Sequence, residues 1–357
     1  MLGLAAACSL SHRDIEVLLL EAVTPGHPMA GSKGSARIFR VGYPDPLYVE
    51  MAVGALAQWR LLENESGLDL LDTTGQLSFG PDVGAVTEAM AETGMEYEEL
   101  SAAAAAARFP ALRPTGPVLY EPESGVLAAD QCLRALHASG KFTVRSGHPV
   151  ATVEDAGDQA HVLLRDGTRL AAEVVVTCAG PQTLALVPGL RAAVLRPASW
   201  QQVVYLGVDG AAVPPPVFIE WGPDMVYGLP VAGQPLYKLA QHVPGPPLPQ
   251  AATPSTEHTD DPTSLSTLTE AARRLLPGLD PAPVATERCL YDNTADGDFI
   301  VDRVGRIVIG SGTSGHGFKF APLLGDLLAD LAMGLRPPID LSRFSLKRSP
   351  LRAVPDQ

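Results

Sequence analysis

Apolar and polar positions along the first third of the chain predict alternating helices and strands. Residues 2–12 are small and apolar, as in a helix that packs closely on a sheet. Residues 15–21 form an apolar run that ends in an acid, which is typical of a buried parallel strand. The stretches 47–66 and 84–108 have helical patterns, the second rich in alanine and ending before Pro110. This order of elements predicts an α/β protein.

The middle of the chain carries a hairpin followed by a buried strand. Residues 161–165 and 168–172 are separated by an Asp-Gly pair, which favours a two-residue turn between antiparallel strands. The run 174–178 is Val-Val-Val-Thr-Cys and leads into a glycine turn at Gly180. This segment is typical of the middle part of a nucleotide-binding domain.

The remaining elements alternate between a half-exposed sheet, a loop and a terminal helix. Strands are predicted at 201–208 and 225–242, where apolar and polar residues alternate. Residues 243–263 are rich in Pro, Thr and Asp, which indicates a surface loop. Further predictions are a helix at 265–275, a strand at 306–310, a glycine-rich turn at 310–317 and an amphipathic helix at 321–333.

Segments typical of nucleotide binding thus lie at the start, in the middle and at the end. A dinucleotide fold begins with a strand, a glycine turn, a helix and a second strand that ends in an acid, about 20 residues on. Gly3 occupies the position of the third glycine and Glu21 that of the ribose-binding acid, whereas the preceding strand and first two glycines are missing. We therefore expect one discontinuous cofactor domain with a second domain inserted twice. The cofactor domain is assigned residues 1–70, 140–195 and 288–357, and the inserted substrate domain residues 71–139 and 196–287.

The composition and net charge of the chain restrict the classes of molecule that it can bind. With 46% apolar and 18% charged residues the chain is globular, and its formal net charge of −14 argues against nucleic acid or an anionic membrane. The four cysteines are far apart and form no CxxC pair, which argues against disulfides and a structural metal site. No apolar run has the length of a membrane span, and the apolar first ten residues carry no basic residue, unlike a signal peptide. We expect a cytoplasmic monomer.

Four segments resemble one family of flavoenzymes. They are SARIFR at 35–40, EPESGVLAADQC at 121–132, ERCLYDNTADGDFIVD at 287–302 and IGSGTSGHGFKFAP at 309–322. In this order they are similar to the monomeric sarcosine oxidase family, which includes pipecolate oxidase and N-methyltryptophan oxidase. The resemblance implies an FAD-binding Rossmann-like domain, here without its first strand, and an inserted antiparallel-sheet substrate domain. It also implies oxidation of a secondary amine of an N-methyl or cyclic amino acid to an imine, with O2 reduced to hydrogen peroxide.

The resemblance places a covalent flavin link at Cys289. In the family the sulfur at this position is attached to the flavin 8α-methyl group, which requires an accessible thiolate. A buried, inert thiol is the alternative, and it is the role we expect for Cys8, Cys132 and Cys178.

The resemblance also assigns three cations to the reaction. Arg40 and Lys319 match the pair that holds the substrate carboxylate, since an amino acid is fixed best by a cationic clamp. Lys238 matches the lysine over the flavin N5 edge, where a fixed positive charge assists O2 reduction with the help of Arg37. Taken singly, each of these residues would be a solvated surface charge.

Further side chains match the walls of the amine pocket. His242 and Tyr291 match positions on its amine side, where His242 would favour the neutral, oxidisable amine. The alternative for His242 is a core histidine. Tyr227 and Phe218 match pocket walls, although sarcosine-specific members carry a more flexible side chain at the position of Phe218.

The remaining cofactor contacts are implied for the three nucleotide-binding segments. The glycine turn at 310–317 would let the backbone approach the flavin, and the helix after it would point its positive end at the pyrimidine ring. The implied cofactor-binding residues are Gly3, Glu21, Ser32, Lys33, Arg37, Val153, Gly180, Cys289, Gly312, Gly315, Gly317, Phe318 and Lys319.

Two explanations account for the missing first strand. Either the true start lies upstream and Met1 is an internal methionine, which we favour, or the chain is a truncated relative that does not hold FAD and acts only as a binding or scaffold protein. A nicotinamide-dependent dehydrogenase would share the pattern that ends at Glu21, but it would not need Cys289 or the GHGFKF segment.

Overall fold

The computed structural model describes residues 1–209, 213–248 and 259–349. Their helices are α1 (Leu2–Ser11), α2 (Pro46–Ser66), α3 (Val83–Glu92), α4 (Ala102–Arg108), α5 (Ala129–Ser139), α6 (Pro262–Leu275) and α7 (Ala321–Met333). Their strands are β1 (Leu18–Glu21), β2 (Ala36–Phe39), β3 (Leu71–Asp72), β4 (Gln76–Phe79), β5 (Glu98–Leu100), β6 (Val118–Glu121), β7 (Gly125–Ala128), β8 (Thr143–Ser146), β9 (Val150–Asp155), β10 (Ala160–Leu164), β11 (Arg169–Ala172), β12 (Val175–Thr177), β13 (Ser199–Gly207), β14 (Val217–Glu220), β15 (Val226–Pro230), β16 (Leu236–Gln241), β17 (Ala285–Tyr291), β18 (Ile300–Val304) and β19 (Ile307–Ser311).

A wide sheet of eight strands supports the candidate site. Its order is β17-β13-β16-β15-β14-β4-β6-β5, and its neighbours are antiparallel except for the parallel pair β14 and β4. Side chains alternate between the two faces of a strand, so one face can be wholly apolar. That face packs on α4 and α6 through a buried cluster that includes Leu77, Leu239 and Leu268. The opposite face is left to form the site.

The parallel strands of the nucleotide-binding part form two separate small sheets. β1 pairs in parallel with β8, while β12 pairs in parallel with β19, which also pairs with β18. Within the ranges that the structure describes, no strand joins β1 to β12. Helix α1 packs closely on α7, where a Cβ at Gly325 would lie only 2.7 Å from Ala5 Cβ. The α/β class predicted from the sequence is confirmed.

Several predicted elements are present with altered boundaries. The helix predicted at 84–108 is wrong as one element, because Gly94 adopts a positive φ of 68° after α3 and the chain then forms β5 before α4. The strand predicted at 225–242 is a hairpin of β15 and β16 with Gly233 at φ 70° in its turn. Helix α6 begins at Pro262, earlier than predicted, because the Asp261 carboxylate accepts a hydrogen bond from the Thr263 N–H at 3.1 Å. Part of the predicted loop at 243–263, residues 249–258, lies outside the described residues.

The hairpin of β10 and β11, helix α1 and helix α7 lie where the sequence pattern predicted them. None of the described helices combines the length and the apolar character that a bilayer crossing requires.

Candidate active site

A pocket lies between the free face of the wide sheet, strand β2 and the glycine turn that precedes α7. It is lined by side chains from β2, β15, β16, β17 and the segment 315–319. The predicted site residues that the structure brings together at this pocket are Arg37, Arg40, Tyr227, Lys238, His242, Tyr291, Gly315, Phe318 and Lys319.

Strand register explains which residues face the pocket. Lys238 lies opposite Tyr205 on one neighbouring strand and opposite Leu229 on the other, so these side chains share one face. Phe218 is placed on the other face, where it is 0% exposed and stacks on Phe79 with ring centroids 5.8 Å apart. The structure therefore does not bring Phe218 to the pocket wall, and the next residue, Ile219, lines the pocket instead. A one-residue difference in register reverses the face of a strand residue.

Arg40 and Lys319 are two buried cations that line the pocket. They are 6% and 7% exposed, and neither forms an ion pair with a residue in the described ranges. The Arg40 guanidinium lies over the Tyr43 ring at 4.1 Å and near the Trp221 ring at 4.8 Å. Burial, followed by the nearby Arg40, lowers the pKa of Lys319 well below its usual value. Two buried cations without an anion fit a ligand that carries a carboxylate.

The backbone and side chain of Lys319 are both held in place. Trp59 is 0% exposed, and its indole N–H donates to the Lys319 carbonyl oxygen at 2.7 Å. The Lys319 ammonium donates to the carbonyl oxygen of His316 at 3.1 Å. The role of Trp59 was not predicted from the sequence, because a tryptophan inside an amphipathic helix carries no signal beyond that of a core residue.

Lys238 lies at the centre of the free face and is 4% exposed. Burial, with a smaller effect of Arg37, lowers its pKa to about 8. Cys289 and, next in size, the carboxylate of Glu287 oppose this effect. Glu287 is held by the Lys33 ammonium at 2.8 Å and by the Tyr205 hydroxyl at 2.6 Å. The structure thus surrounds one buried ammonium with two further cations and one anchored carboxylate.

His242 and Tyr291 lie against each other in the same pocket. The His242 Nδ1 and the Tyr291 hydroxyl oxygen are 3.3 Å apart. Burial, followed by Arg40 and Lys319, lowers the pKa of His242 to about 3, so its ring is neutral near pH 7. Burial also raises the pKa of Tyr291 well above its usual value, and that of Tyr227 to about 12. These groups are therefore uncharged hydrogen-bonding partners.

Cys289 lies on β17, two residues before Tyr291 and on the same face. It is partly exposed, and its neighbour across the sheet is Gln201. Burial raises the pKa of Cys8 to about 11 and that of Cys178 to about 12, so those thiols are inert. Of the two partly exposed cysteines, Cys178 and Cys289, it is Cys289 that lies on the strand face that carries Tyr291.

The glycine turn before α7 comes close to the same end of β17. Gly312 and Gly315 have φ values of 63° and 76°, and a Cβ at Gly315 would lie 2.1 Å from the Tyr291 ring. The Asp292 carboxylate accepts hydrogen bonds from the Gly312 N–H at 2.6 Å and from the Ser311 hydroxyl at 2.9 Å. Only glycine fits the turn at Gly315, which keeps the backbone open toward the pocket.

The other predicted cofactor residues contribute no side chain to the pocket. Glu21 ends β1, Gly3 lies against Cys178, and Val153 is buried beside Val162. Further members of the predicted set are Ser32 and Lys33, in the loop before β2, Gly180, with φ 58° in the turn after β12, and Gly317, in the turn before α7.

Three features of the pocket suit the ring system of a flavin. A partly exposed thiol at Cys289, the buried cation Lys238 and a glycine turn that admits close approach all fit the ring system of a flavin. The residues present therefore fit the flavin end of the cofactor.

Fold and pocket together define a flavin-dependent oxidoreductase. The family model described as FAD dependent oxidoreductase matches residues 1–331, and the chain belongs to that family. This confirms the family predicted from the four sequence segments.

Curated relatives narrow the class to amine-oxidising members. The chain is 32% identical to human peroxisomal sarcosine oxidase, over 98% of this chain and 94% of that protein. It is 31% identical to N-methyl-L-tryptophan oxidase of Yersinia pestis (strain Pestoides F), over 97% of this chain and 96% of that protein. The protein is accordingly an FAD-dependent enzyme that acts on amine donors.

A solved structure gives the same result at the level of the fold. The chain superposes on the open form of NikD, described as an unusual amino acid oxidase essential for nikkomycin biosynthesis, with a TM-score of 0.82. The two are 26% identical, and the match covers 96% of this chain and 94% of NikD.

Proposed function

We propose that the protein oxidises the secondary amine of an N-methyl or cyclic amino acid to an imine and reduces O2 to hydrogen peroxide. The observation that carries this proposal is that one pocket is lined both by the pair of buried cations, Arg40 and Lys319, and by the neutral pair His242 and Tyr291. A zwitterionic substrate needs both ends recognised, one by positive charge and one by uncharged acceptors. FAD, when bound, accepts two electrons from the amine and passes them to O2.

The cationic pair and the neutral pair have different roles in this proposal. Arg40 and Lys319 hold the carboxylate, which restores a favourable environment for the charge on Lys319. His242 is neutral near pH 7 and lies within reach of Tyr291. A neutral imidazole favours the neutral, reactive form of the amine. The ammonium form would be buried beside it without an anion to balance its charge.

Apolar side chains in the pocket favour a substrate that is apolar between its carboxylate and its amine. Ile38, Ile219, Met225 and Leu229 line this part of the pocket. A substrate with a methyl group or an aliphatic ring buries apolar surface there, whereas a second charge would lose its hydration without a partner.

Lys238 supplies positive charge for the second half of the reaction. It is buried at the centre of the sheet face, beside Arg37. A fixed ammonium in a site shielded from water stabilises negative charge that develops on oxygen.

Several finer points stay predictions. They are a covalent bond from Cys289 to the flavin, the division into a discontinuous cofactor domain and an inserted substrate domain, a monomeric state and a cytoplasmic location. The second candidate function, a relative that does not hold FAD, is favoured by one observation, the separation of β1 from β12.

Visible spectra and a peroxide assay test the proposal. We would express the chain that begins at Met1 beside one extended to the next upstream start, and would offer each sarcosine, L-proline, L-pipecolate and N-methyl-L-tryptophan. The proposal predicts flavin absorbance and peroxide release with at least one of these amines, in one chain or in both. Absence of flavin from both chains would support the non-catalytic relative and reject the oxidase.

A further inference from the structure

Glu121 is a buried carboxylate at the end of β6, next to the segment that carries Arg40. It is 1% exposed and forms no ion pair with any residue in the described ranges. A buried carboxylate without a cation is costly unless its lone pairs are used by hydrogen bonds. Its side chain accepts four such bonds.

The two carboxylate oxygens serve different parts of the molecule. Oε1 accepts from Gln76 Nε2 at 3.0 Å and from the Ser78 hydroxyl at 2.7 Å, both on β4 of the wide sheet. Oε2 accepts from the Gly42 N–H at 2.9 Å and from the Ser124 hydroxyl at 2.9 Å. Glu121 therefore links the rigid sheet to the chain that follows Arg40.

Ser124 extends this link by one residue. Its hydroxyl oxygen accepts a hydrogen bond from the Val41 N–H at 3.0 Å, and its hydroxyl group donates one to Glu121. The backbone N–H groups of both residues after Arg40 are thus tied to one carboxylate oxygen, directly or through Ser124. A Cβ at Gly42 would lie 2.8 Å from the Glu121 carboxyl carbon, so only glycine permits this approach.

The guanidinium of Arg40 depends on its backbone for its position. It lies between the rings of Tyr43 and Trp221, and its buried Nε has no hydrogen-bond partner among the described residues. Stacking between two rings restrains the plane of the group but leaves it free to slide. A shift of the backbone at Arg40 would move the clamp relative to Lys319.

We propose that Glu121 is a positioning residue for Arg40 and acts through the hydrogen bonds at its Oε2 oxygen. An apolar side chain of similar size would fill the same space, so packing alone does not require a carboxylate here. The inference rests on the proposed function, because it takes Arg40 to be part of the carboxylate clamp.

Binding of propionate to the purified flavin-containing protein tests the inference without turnover. Propionate offers a carboxylate without an oxidisable amine, and propionamide is its neutral control. Calorimetry would compare wild-type protein with Glu121→Ala, Glu121→Gln, Ser124→Ala and Ser78→Ala. Thermal unfolding and flavin absorbance of each variant would show that it is folded. Ser78→Ala is the matched control, because it removes a hydrogen bond to Oε1 and leaves Oε2 untouched.

The inference predicts a pattern rather than a single loss. Glu121→Ala should weaken propionate binding by about tenfold to a hundredfold, the loss expected from removing a buried acceptor, with propionamide unaffected. Ser124→Ala should act in the same direction, and Ser78→Ala should change binding by less than about twofold. Glu121→Gln should restore most of the affinity, because its carbonyl can take the place of Oε2.

Other outcomes would overturn the inference. Equal losses of propionate affinity in Ser78→Ala and Ser124→Ala would show that Glu121 acts by general packing. Equal losses in Glu121→Gln and Glu121→Ala would show that the negative charge of Glu121 matters and its hydrogen bonds do not. If Glu121→Ala does not fold, the two serine variants decide. Arg40→Gln separates this inference from the proposed function. If Arg40→Gln weakens propionate binding and Glu121→Ala does not, only the inference is wrong. If neither variant weakens propionate binding, the carboxylate clamp is wrong as well.

Discussion

The pH dependence of flavin reoxidation should report the charge on Lys238. Burial lowers the pKa of this lysine to about 8, so it is charged below that pH and neutral above it. If only the ammonium form assists O2, the second-order rate constant for reoxidation should be high at pH 7 and fall as the pH rises through the pKa. From one pH unit below the pKa to one unit above it the charged fraction falls from about nine-tenths to about one-tenth, a roughly tenfold loss of rate, and a nearby anion moves this fall to higher pH without changing its size.

Glu287 provides the perturbation that tests this account. Its carboxylate raises the pKa of Lys238, whereas Arg37 and Lys33 lower it. Glu287→Gln removes the anion and leaves both cations, and it keeps a side chain that can still accept from the Tyr205 hydroxyl. The fall in rate should therefore begin at lower pH in the variant than in the wild-type protein.

The assay is stopped-flow reoxidation of protein reduced with dithionite, so that no amine takes part. A bound reduced flavin is anionic and raises the pKa of Lys238 in the wild-type protein and in Glu287→Gln alike. The test therefore compares the pH profiles of the reoxidation rate between proteins and does not depend on the absolute pKa. Lys238→Arg is the matched control, because arginine stays charged over the whole range and should give a flat profile. Lys238→Met should be flat and slower by about a hundredfold to a thousandfold, the usual cost of removing one preorganised charge-stabilising group.

Two results would refute the reasoning. A wild-type profile as flat as that of Lys238→Arg would show that Lys238 does not titrate in this range. A midpoint in Glu287→Gln that stays in place or moves to higher pH would show that the carboxylate does not hold the proton on Lys238.

Three further predictions follow from the site. Cys289→Ser should bind flavin that is released by acid precipitation, whereas wild-type flavin stays with the precipitate; release from both proteins would remove the covalent link. Lys319→Met should raise KM for the amino acid by about tenfold to a hundredfold, the range for a lost hydrogen bond to a charged group, and should spare a matched amine without a carboxylate; equal effects on both substrates would contradict the clamp. Phe218→Leu should lower the free energy of unfolding by about 1–2 kcal/mol, because it loosens the stack with Phe79, and should leave KM unchanged; a changed KM would return Phe218 to the pocket wall.

Much of the fold was predictable because its patterns are local. The Asp-Gly turn specified the hairpin of β10 and β11, and the leucine spacing specified α7. The break between α3 and α4 was missed because the alanine-rich run hides the left-handed turn at Gly94. The grouping of Arg40, Lys238 and Lys319 at one pocket came from the resemblance, since residues this far apart carry no local signal of contact.

The missed parts of the site depend on register and tertiary contacts. Phe218 was predicted as a wall, but its face depends on the pairing of β14 with β4 and β15. Glu287 stands two residues before Cys289, so strand alternation could have placed both on one face. Glu121 begins the family-like segment at 121–132, but no role for its side chain could be predicted, because its partners Gly42 and Gln76 are distant in sequence.

The central claim is that the pocket oxidises an amino acid amine and passes the electrons to O2. The most direct measurement is the flavin spectrum of the protein under anaerobic conditions, recorded as sarcosine, L-proline, L-pipecolate and N-methyl-L-tryptophan are added in turn. The account predicts that at least one of them bleaches the flavin, that its carboxamide analogue does not, and that admitted O2 restores the spectrum with one hydrogen peroxide per flavin. A flavin-containing protein that none of the amines bleaches would contradict the account.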